Sequence, residues 1–254
     1  MSSLRRPLLT NHNRCWIWGR NVVLETLRAN RWPVIELLHS DRCDPGARAE
    51  AVGLAINRGL NVISVRDSEI TKQCRSEDHQ GLAARMPPFP YSNVTELLKV
   101  LSSNPVLVLL DRIQDSHNFG AIVRSAEVLG IDGVIVGTHE QASVNSQVAR
   151  SSVGAVNYVP IAESIDLEVT VRELREQGFQ IVGASDHAEQ PIFETDFRKA
   201  TLVLIGNEGR GIQPALQALC TQFVQIPMLG RVNSLNAAVS AGILFYEVLR
   251  QRRA

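Results

Sequence analysis

Apolar and polar positions alternate along this chain in a way that predicts short strands and amphipathic helices in turn. Residues 19–30 place Val22, Val23, Thr26 and Leu27 on one helical face, and residues 34–39 read as a short strand. Residues 48–57 predict a second helix closed at Gly59, 61–65 a strand and 67–75 a third helix. Further on, Val106-Leu107-Val108-Leu109-Leu110 is an unbroken apolar run ending in Asp111. A strand buried on both faces needs such a run, as in a parallel sheet covered by helices. The alternation continues with helices at 119–129, 143–151, 167–177, 214–220 and 236–252. Strands are predicted at 133–136, 156–161, 179–184, 200–205 and 223–226. The fold class is α/β.

Punctuation divides the pattern. Pro87, Pro88 and Pro90 deny both helix and central strand, so a linker is expected at 88–103. It separates a small domain at 14–87 from a larger one at 104–254.

Composition then narrows the class. At 254 residues and 44% hydrophobic, the chain can bury a core and is not of disordered composition. Its longest aliphatic run is far short of a membrane span. The N-terminus carries arginines but no apolar segment long enough for a secretory leader, so a cytoplasmic protein is expected. Cys15, Cys43, Cys74 and Cys220 form no C-x-x-C pair, which argues against a zinc ribbon or disulfide framework and predicts no metal site. The formal net charge is zero, at first sight a poor match to a nucleic-acid partner. The zero is an average: residues 1–90 carry 13 Lys/Arg against 9 Asp/Glu, and residues 91–254 carry 13 against 17. Arginine supplies 23 of the 26 cations; it suits phosphate, and it is equally what a GC-rich genome produces.

Three segments carry candidate chemistry. In Asp111-Arg112-Ile113-Gln114-Asp115-Ser116-His117-Asn118-Phe119-Gly120, a strand runs into a polar loop, and a helix opens at Asn118 or Phe119 with Arg124 in its first turns. Ligands of open α/β sheets gather at such strand ends. Read alone, Asn118 caps the helix and Arg124 is a solvated surface residue. The second segment, Gly206-Asn207-Glu208-Gly209-Arg210-Gly211, follows a buried strand. Its glycines permit close backbone approach to a ligand, but the spacing is neither the Rossmann fingerprint nor a Walker loop. Glu208 there binds a ligand or caps the next helix. In the third, Ile226-Pro227-Met228 ends a strand, and Ser234-Leu235-Asn236 precedes a helix of small residues, with Ser234 or Asn233 a candidate cap.

Together the segments resemble the three motifs of the SpoU (TrmH) family within the SPOUT methyltransferase superfamily. The matches are Asn118-x-Gly120-x-x-x-Arg124, Gly206-x-Glu208-x-x-Gly211, and Ile226-Pro227-Met228 with Ser234-Leu235-Asn236. Trp18-Gly19-Arg20-Asn21 and His79-Gln80-Gly81 are similar to that family's L30e-like substrate-binding domain, and the arrangement is most similar to the RlmB-type branch. The resemblance implies a deep trefoil knot in the C-terminal domain, a homodimer, and S-adenosylmethionine-dependent 2′-O-methylation of a ribose, a guanosine of 23S rRNA. It implies Arg124, Asn118, Glu208, Ser234 and Asn236 as catalytic residues. Gly206, Ile226, Leu235, Met228 and Thr138 would then bind the cofactor. A tRNA ribose methyltransferase and a non-catalytic RNA-binding or ribosome-assembly protein on the same fold are the competing readings. His117 is an alternative base.

Overall fold

A computed structural model describes residues 16–101, 103–231 and 234–253. Residues 14 and 15 of the expected first domain, and Asn233, lie outside them. No described helix is long and apolar enough to cross a membrane. The chain forms two compact units, one holding the chain up to Pro90 together with Val144–Asn157, the other holding Tyr91–Ser143 and Tyr158–Ala254.

In the first unit, β1 (Trp16–Trp18), α1 (Arg20–Ala29), β2 (Glu36–His39), α2 (Pro45–Ile56), β3 (Asn61–Ser64), α3 (Asp67–Cys74) and β4 (Leu82–Arg85) follow in order. The strands pair as β1-β4-β2-β3, with only β2 and β3 parallel. Trp16, Leu38, Ile70, Cys74 and Ala83 form a core on one face. β1 and β4 were not predicted, because one has three residues and the other, Leu-Ala-Ala-Arg, has helical composition.

The paired motifs of this unit have a local physical role. Gly19 has no side chain to cap α1, and the Gln80 side chain supplies the cap by accepting from the Arg20 N–H at 2.9 Å. Gly81 has φ of +74°, and a Cβ there would lie 2.4 Å from the Cys43 nitrogen, so glycine is required. His79 is wholly buried; its Nδ1 accepts from the Gly81 N–H at 3.1 Å, which leaves Nε2 to donate to Thr71 Oγ1 at 2.9 Å. The returning segment Val144–Asn157 also packs within this unit. The Arg150 guanidinium lies 4.5 Å from the Trp18 ring centre, and Asn157 Nδ2 donates to Thr26 Oγ1 at 2.9 Å.

The second unit contains β5 (Ser92–Asn93), α4 (Val94–Leu98), β6 (Val106–Leu110), α5 (Ser116–Val128) and β7 (Gly133–Gly137). After α6 (Ser146–Ser151), which belongs to the first unit, come β8 (Ile161–Ser164), α7 (Leu167–Glu176), β9 (Gln180–Ala184), β10 (Thr201–Ile205), α8 (Pro214–Gln217), β11 (Gln222–Val224) and α9 (Ala237–Arg253). All seven strands are parallel, in the order β11-β9-β10-β6-β7-β8-β5. β6 and β10 lie side by side at the centre with every residue buried, as their continuous apolar runs require. Leu107, Leu109, Leu202 and Leu204 point to one face and pack with Val171, Leu174 and Leu216 of α7 and α8.

Three stretches differ from the expected pattern. Residues 92–98, within the expected linker, carry a strand and a helix held by a capping box between Asn93 and Glu96. The strand expected at 156–161 begins only at Ile161, because Pro160 has no N–H to give the ladder and a 3-10 turn (Ala155–Asn157) precedes it. α8 stops at Gln217, short of Cys220.

Burial holds the His79 imidazole below its ordinary value of 6.5, against the pull of Asp67 at 3.7 Å. Unfolding restores the ordinary value, so the unfolded chain binds a proton more readily. The first unit should therefore keep its full His79 contribution above pH 6.5 and lose it as pH falls below that value. An NMR titration of the His79 ring should give a midpoint under 6.5; one at or above it would contradict the buried neutral imidazole.

Candidate functional site

The chain leaves β6, β7 and β8 to one side, returns to β9 and β10 on the other, and so places its switch point between β6 and β10. At the carboxyl end of β6, Asp111 is wholly buried. Its carboxylate accepts from Arg112 Nε at 3.0 Å and Nη2 at 3.3 Å, and from the Gln213 N–H at 2.6 Å. The Arg112 carbonyl accepts from Asn207 Nδ2 at 2.9 Å, joining the loop after β6 to the loop after β10.

That second loop is closed on itself. Asn207 and Gly211 exchange backbone hydrogen bonds of 3.1 and 2.8 Å, and Asn207 Oδ1 accepts from the N–H groups of Gly209 and Arg210. A Cβ on Gly206 would lie 2.2 Å from the carbonyl carbon of Gly211. The fold of the loop leaves Glu208 exposed at its tip.

Glu208 does not cap a helix. Asp115, not Asn118, caps α5 by accepting from the His117 N–H at 2.6 Å, so α5 starts at Ser116 and the Asn118 side chain is released for other bonds. Asn118 Nδ2 donates to Glu208 Oε1, and Asn118 Oδ1 accepts from Asn236 Nδ2 at 3.0 Å. Asn236 Oδ1 in turn accepts from the N–H groups of Ala238 and Val239 at the start of α9, at 2.9 and 3.3 Å. The helix N–H groups can only donate. They therefore fix the orientation of both amides, and the chain of bonds runs one way from α9 to the Glu208 carboxylate.

A cavity of about 890 Å³ opens beside this chain. It is lined by the stretches 184–190 and 205–212, by Gln217 of α8, by the strand β11 with Ile226 and Met228, and by Ser234, Leu235 and the face of α9 from Ala237 to Leu244. Gly206, Ile226, Met228 and Leu235 thus lie on its wall, together with Glu208 and Ser234. Asn118 and Asn236 reach it through Glu208. Thr138 is not on the wall, since β7 is separated from β10 by β6. Arg124 is exposed on α5, outside the wall, and makes no hydrogen bond or ion pair with another described residue. Beside it, Gly242 of α9 faces Ser125, where a Cβ would make an ordinary van der Waals contact with Ser125 Oγ at 3.7 Å. Among the described residues no cluster of His, Cys, Asp and Glu could hold a metal ion.

The sequence reading missed the stretch 184–190, which brings Asp186, His187 and Glu189 to the wall. The sequence shows a polar run after an apolar strand, but only the order of strands sets that run beside β10. It also missed the bracing by Asp111, Arg112 and Asn207, where a lone carboxylate closing an apolar run was the available sign.

Comparison with known proteins places these features in context. Residues 105–246 match the SpoU rRNA Methylase family, and residues 16–92 match the description RNA 2′-O ribose methyltransferase substrate binding. An uncharacterized tRNA/rRNA methyltransferase of Mycolicibacterium gilvum (strain PYR-GCK) is 36% identical, over 93% of this chain and 76% of that protein. The SpoU methyltransferase AviRb from Streptomyces viridochromogenes, solved in complex with the cofactor AdoMet, superposes with a TM-score of 0.79 at 28% identity, over 94% of this chain and 90% of that one. An AdoMet-bound rRNA methyltransferase from Sinorhizobium meliloti gives a TM-score of 0.79 at 26% identity, over 92% and 86%.

The closed glycine loop predicts its own weak point. Gly206→Ala forces Gly206 and Gly211 apart and should destabilise the protein by about 1–3 kcal/mol, the usual cost of overpacking. Urea denaturation measures it, and an unchanged midpoint would contradict the closed loop.

Proposed function

The chain belongs to the SpoU rRNA methylase family, and from this we propose that it catalyses S-adenosylmethionine-dependent 2′-O-methylation of a ribose in RNA, a guanosine of 23S rRNA. The observation that carries the reading is the Glu208–Asn118–Asn236 chain, which meets the cavity wall at Glu208, because it joins all three motifs in one hydrogen-bonded unit. The two-domain match favours ribosomal over transfer RNA, as the Sinorhizobium meliloti rRNA enzyme is similar over 92% of this chain. The reading extends to a deep trefoil knot in the second unit, an L30e-like fold for the first, and a cytoplasmic location.

The residues present fit the cofactor. The cavity offers apolar side chains (Ile205, Ile226, Met228 and Leu244), glycine backbone at Gly206, where a Cβ has no room, and carboxylates at Asp186, Glu189 and Glu208 for a cation. Gly206, Ile226, Met228 and Leu235 would hold it. When bound, S-adenosylmethionine supplies an electrophilic methyl group on a sulfonium.

The chain's own residues must then orient a ribose hydroxyl and accommodate its proton, since that hydroxyl is a poor nucleophile near neutral pH. Arginine as a residue type is a poor general base, which leaves Arg124 an electrostatic role. Exposed and unengaged among the described residues, it anchors the neighbouring RNA phosphate and stabilises the developing alkoxide, with that phosphate relaying the proton. Asn118, Glu208, Ser234 and Asn236 hold the ribose and the loop. Two copies of the chain pair through α9, where Val239 and Tyr246, 50% and 60% exposed, lie two helical turns apart on one face.

Arg124→Ala should lower methylation by about 10²–10³-fold, the cost of losing one charge-stabilising donor, while calorimetry shows unchanged cofactor affinity; His117→Ala should lose little. Normal turnover in the Arg124 variant would remove Arg124 from the mechanism. Mapping of ribose methyls in ribosomal and transfer RNA from a deletion strain, beside the parent, tests the substrate; loss of a tRNA methyl instead would overturn the ribosomal target. Light scattering should give a dimer mass, and a monomer would refute pairing through α9.

A further inference from the structure

Arg112 is unusual in three respects. It is a non-glycine residue with φ of +60°, it stands directly after the central strand β6, and its hydrogen bonds go to both ends of a loop that is 95–99 residues away in sequence. Its carbonyl accepts from Asn207 Nδ2 at the loop's start, and its Nη2 donates to the Gly211 carbonyl at the loop's end, at 3.4 Å. The buried Asp111 carboxylate holds the same guanidinium and also takes the Gln213 N–H just beyond the loop. A left-handed backbone in a residue with a long side chain is uncommon and persists where its surroundings impose it. Here it lets one residue aim its carbonyl and its guanidinium at opposite ends of the same loop.

We infer that Arg112 is a positioning residue that holds the Gly206–Gly211 loop in the shape that binds the methyl donor. The inference rests on the proposed methyltransferase function. The loop forms part of the cavity wall and carries Glu208, so its shape sets both the donor site and the acceptor for Asn118. Asn207 is the other half of the clip: one end of its amide takes the Gly209 and Arg210 N–H groups, and the other reaches Arg112. Arg112 itself is absent from the cavity wall, so it acts through the loop and not by touching the donor.

The test compares stability with donor binding. Arg112→Lys keeps a cation beside Asp111, and the parent's thermal midpoint should be largely retained. A lysine lacks the fork that serves Asp111 and Gly211 together, so the dissociation constant for S-adenosylmethionine should rise by about tenfold, at the lower end of losses seen when a supporting contact is removed. Asn207→Ala should raise it similarly. The double variant should be no weaker than the worse single one, because either change opens the same clip. The KM for S-adenosylmethionine should rise in step with the dissociation constant. If affinity merely follows the thermal midpoint across these variants, or if Arg112→Lys binds the donor as the parent does, Arg112 is only structural and the inference fails. Calorimetry on the unsubstituted chain separates the two failures: no binding there would overturn the methyltransferase reading and this inference with it.

Discussion

A carboxylate with no access to water, Asp111 at the end of β6, constrains the rest of the site. Removing a charge from water is costly unless other groups replace the lost hydration, and here three N–H donors do so. Two come from the adjacent guanidinium and one from the backbone entering α8. Satisfying Asp111 therefore dictates where Arg112 lies, and Arg112 in turn dictates where Asn207 and Gly211 lie. A pair of this kind is weak evidence for stability, since well-packed apolar groups can match it, and breaking it by removing one partner costs about 3–5 kcal/mol. Its value here is geometric. Two loops from neighbouring parallel strands are fixed to each other at the switch point of the sheet, beyond the backbone hydrogen bond from the Asp111 N–H to the Ile205 carbonyl.

The second constraint is direction. The start of α9 offers N–H groups that can only donate, and the Glu208 carboxylate can only accept. Two amides between them have one orientation each that satisfies every partner. Asn236 thereby serves as helix cap and as link to Asn118, and Asp115 takes over the capping of α5 that Asn118 would otherwise perform. A residue that looks like an ordinary cap in sequence is thus free for the site because a neighbour three positions earlier has its role.

Much of the second unit was legible in the residue pattern. The apolar runs that form β6 and β10 were placed to the residue or within one, since strands buried on both faces leave no alternation to misread. The elements that were missed or misplaced are those whose position depends on distant partners. β4 is an alanine-rich stretch made a strand by β1 and β2 on either side. β8 starts where Pro160 permits. In the site, Glu208 and the glycines around it stood out because glycine spacing is a local signal. The Asp186–Glu189 stretch did not, because only the order of strands brings it to the cavity. Thr138 had the opposite fate: it follows a strand of the right kind, but one with β6 between it and β10.

Charge shows the same dependence on three-dimensional grouping. Split at Pro90, the sequence has a surplus of 4 cations before and 4 anions after. The compact units are not contiguous in sequence, however: Val144–Asn157 joins the first and carries Arg150 with no acidic residue. Moving that one arginine makes the first unit 14 cations against 9 anions and the second 12 against 17. A surplus of cations suits a unit that meets phosphate, and a surplus of anions suits one that takes a sulfonium. The acidic unit would also repel an RNA backbone, a difficulty that the phosphate contact proposed for the exposed Arg124 would meet. A guanidinium already paired within the fold would have little charge left to offer a phosphate. In an overall neutral chain, the cations that remain unpaired decide where a polyanion can approach.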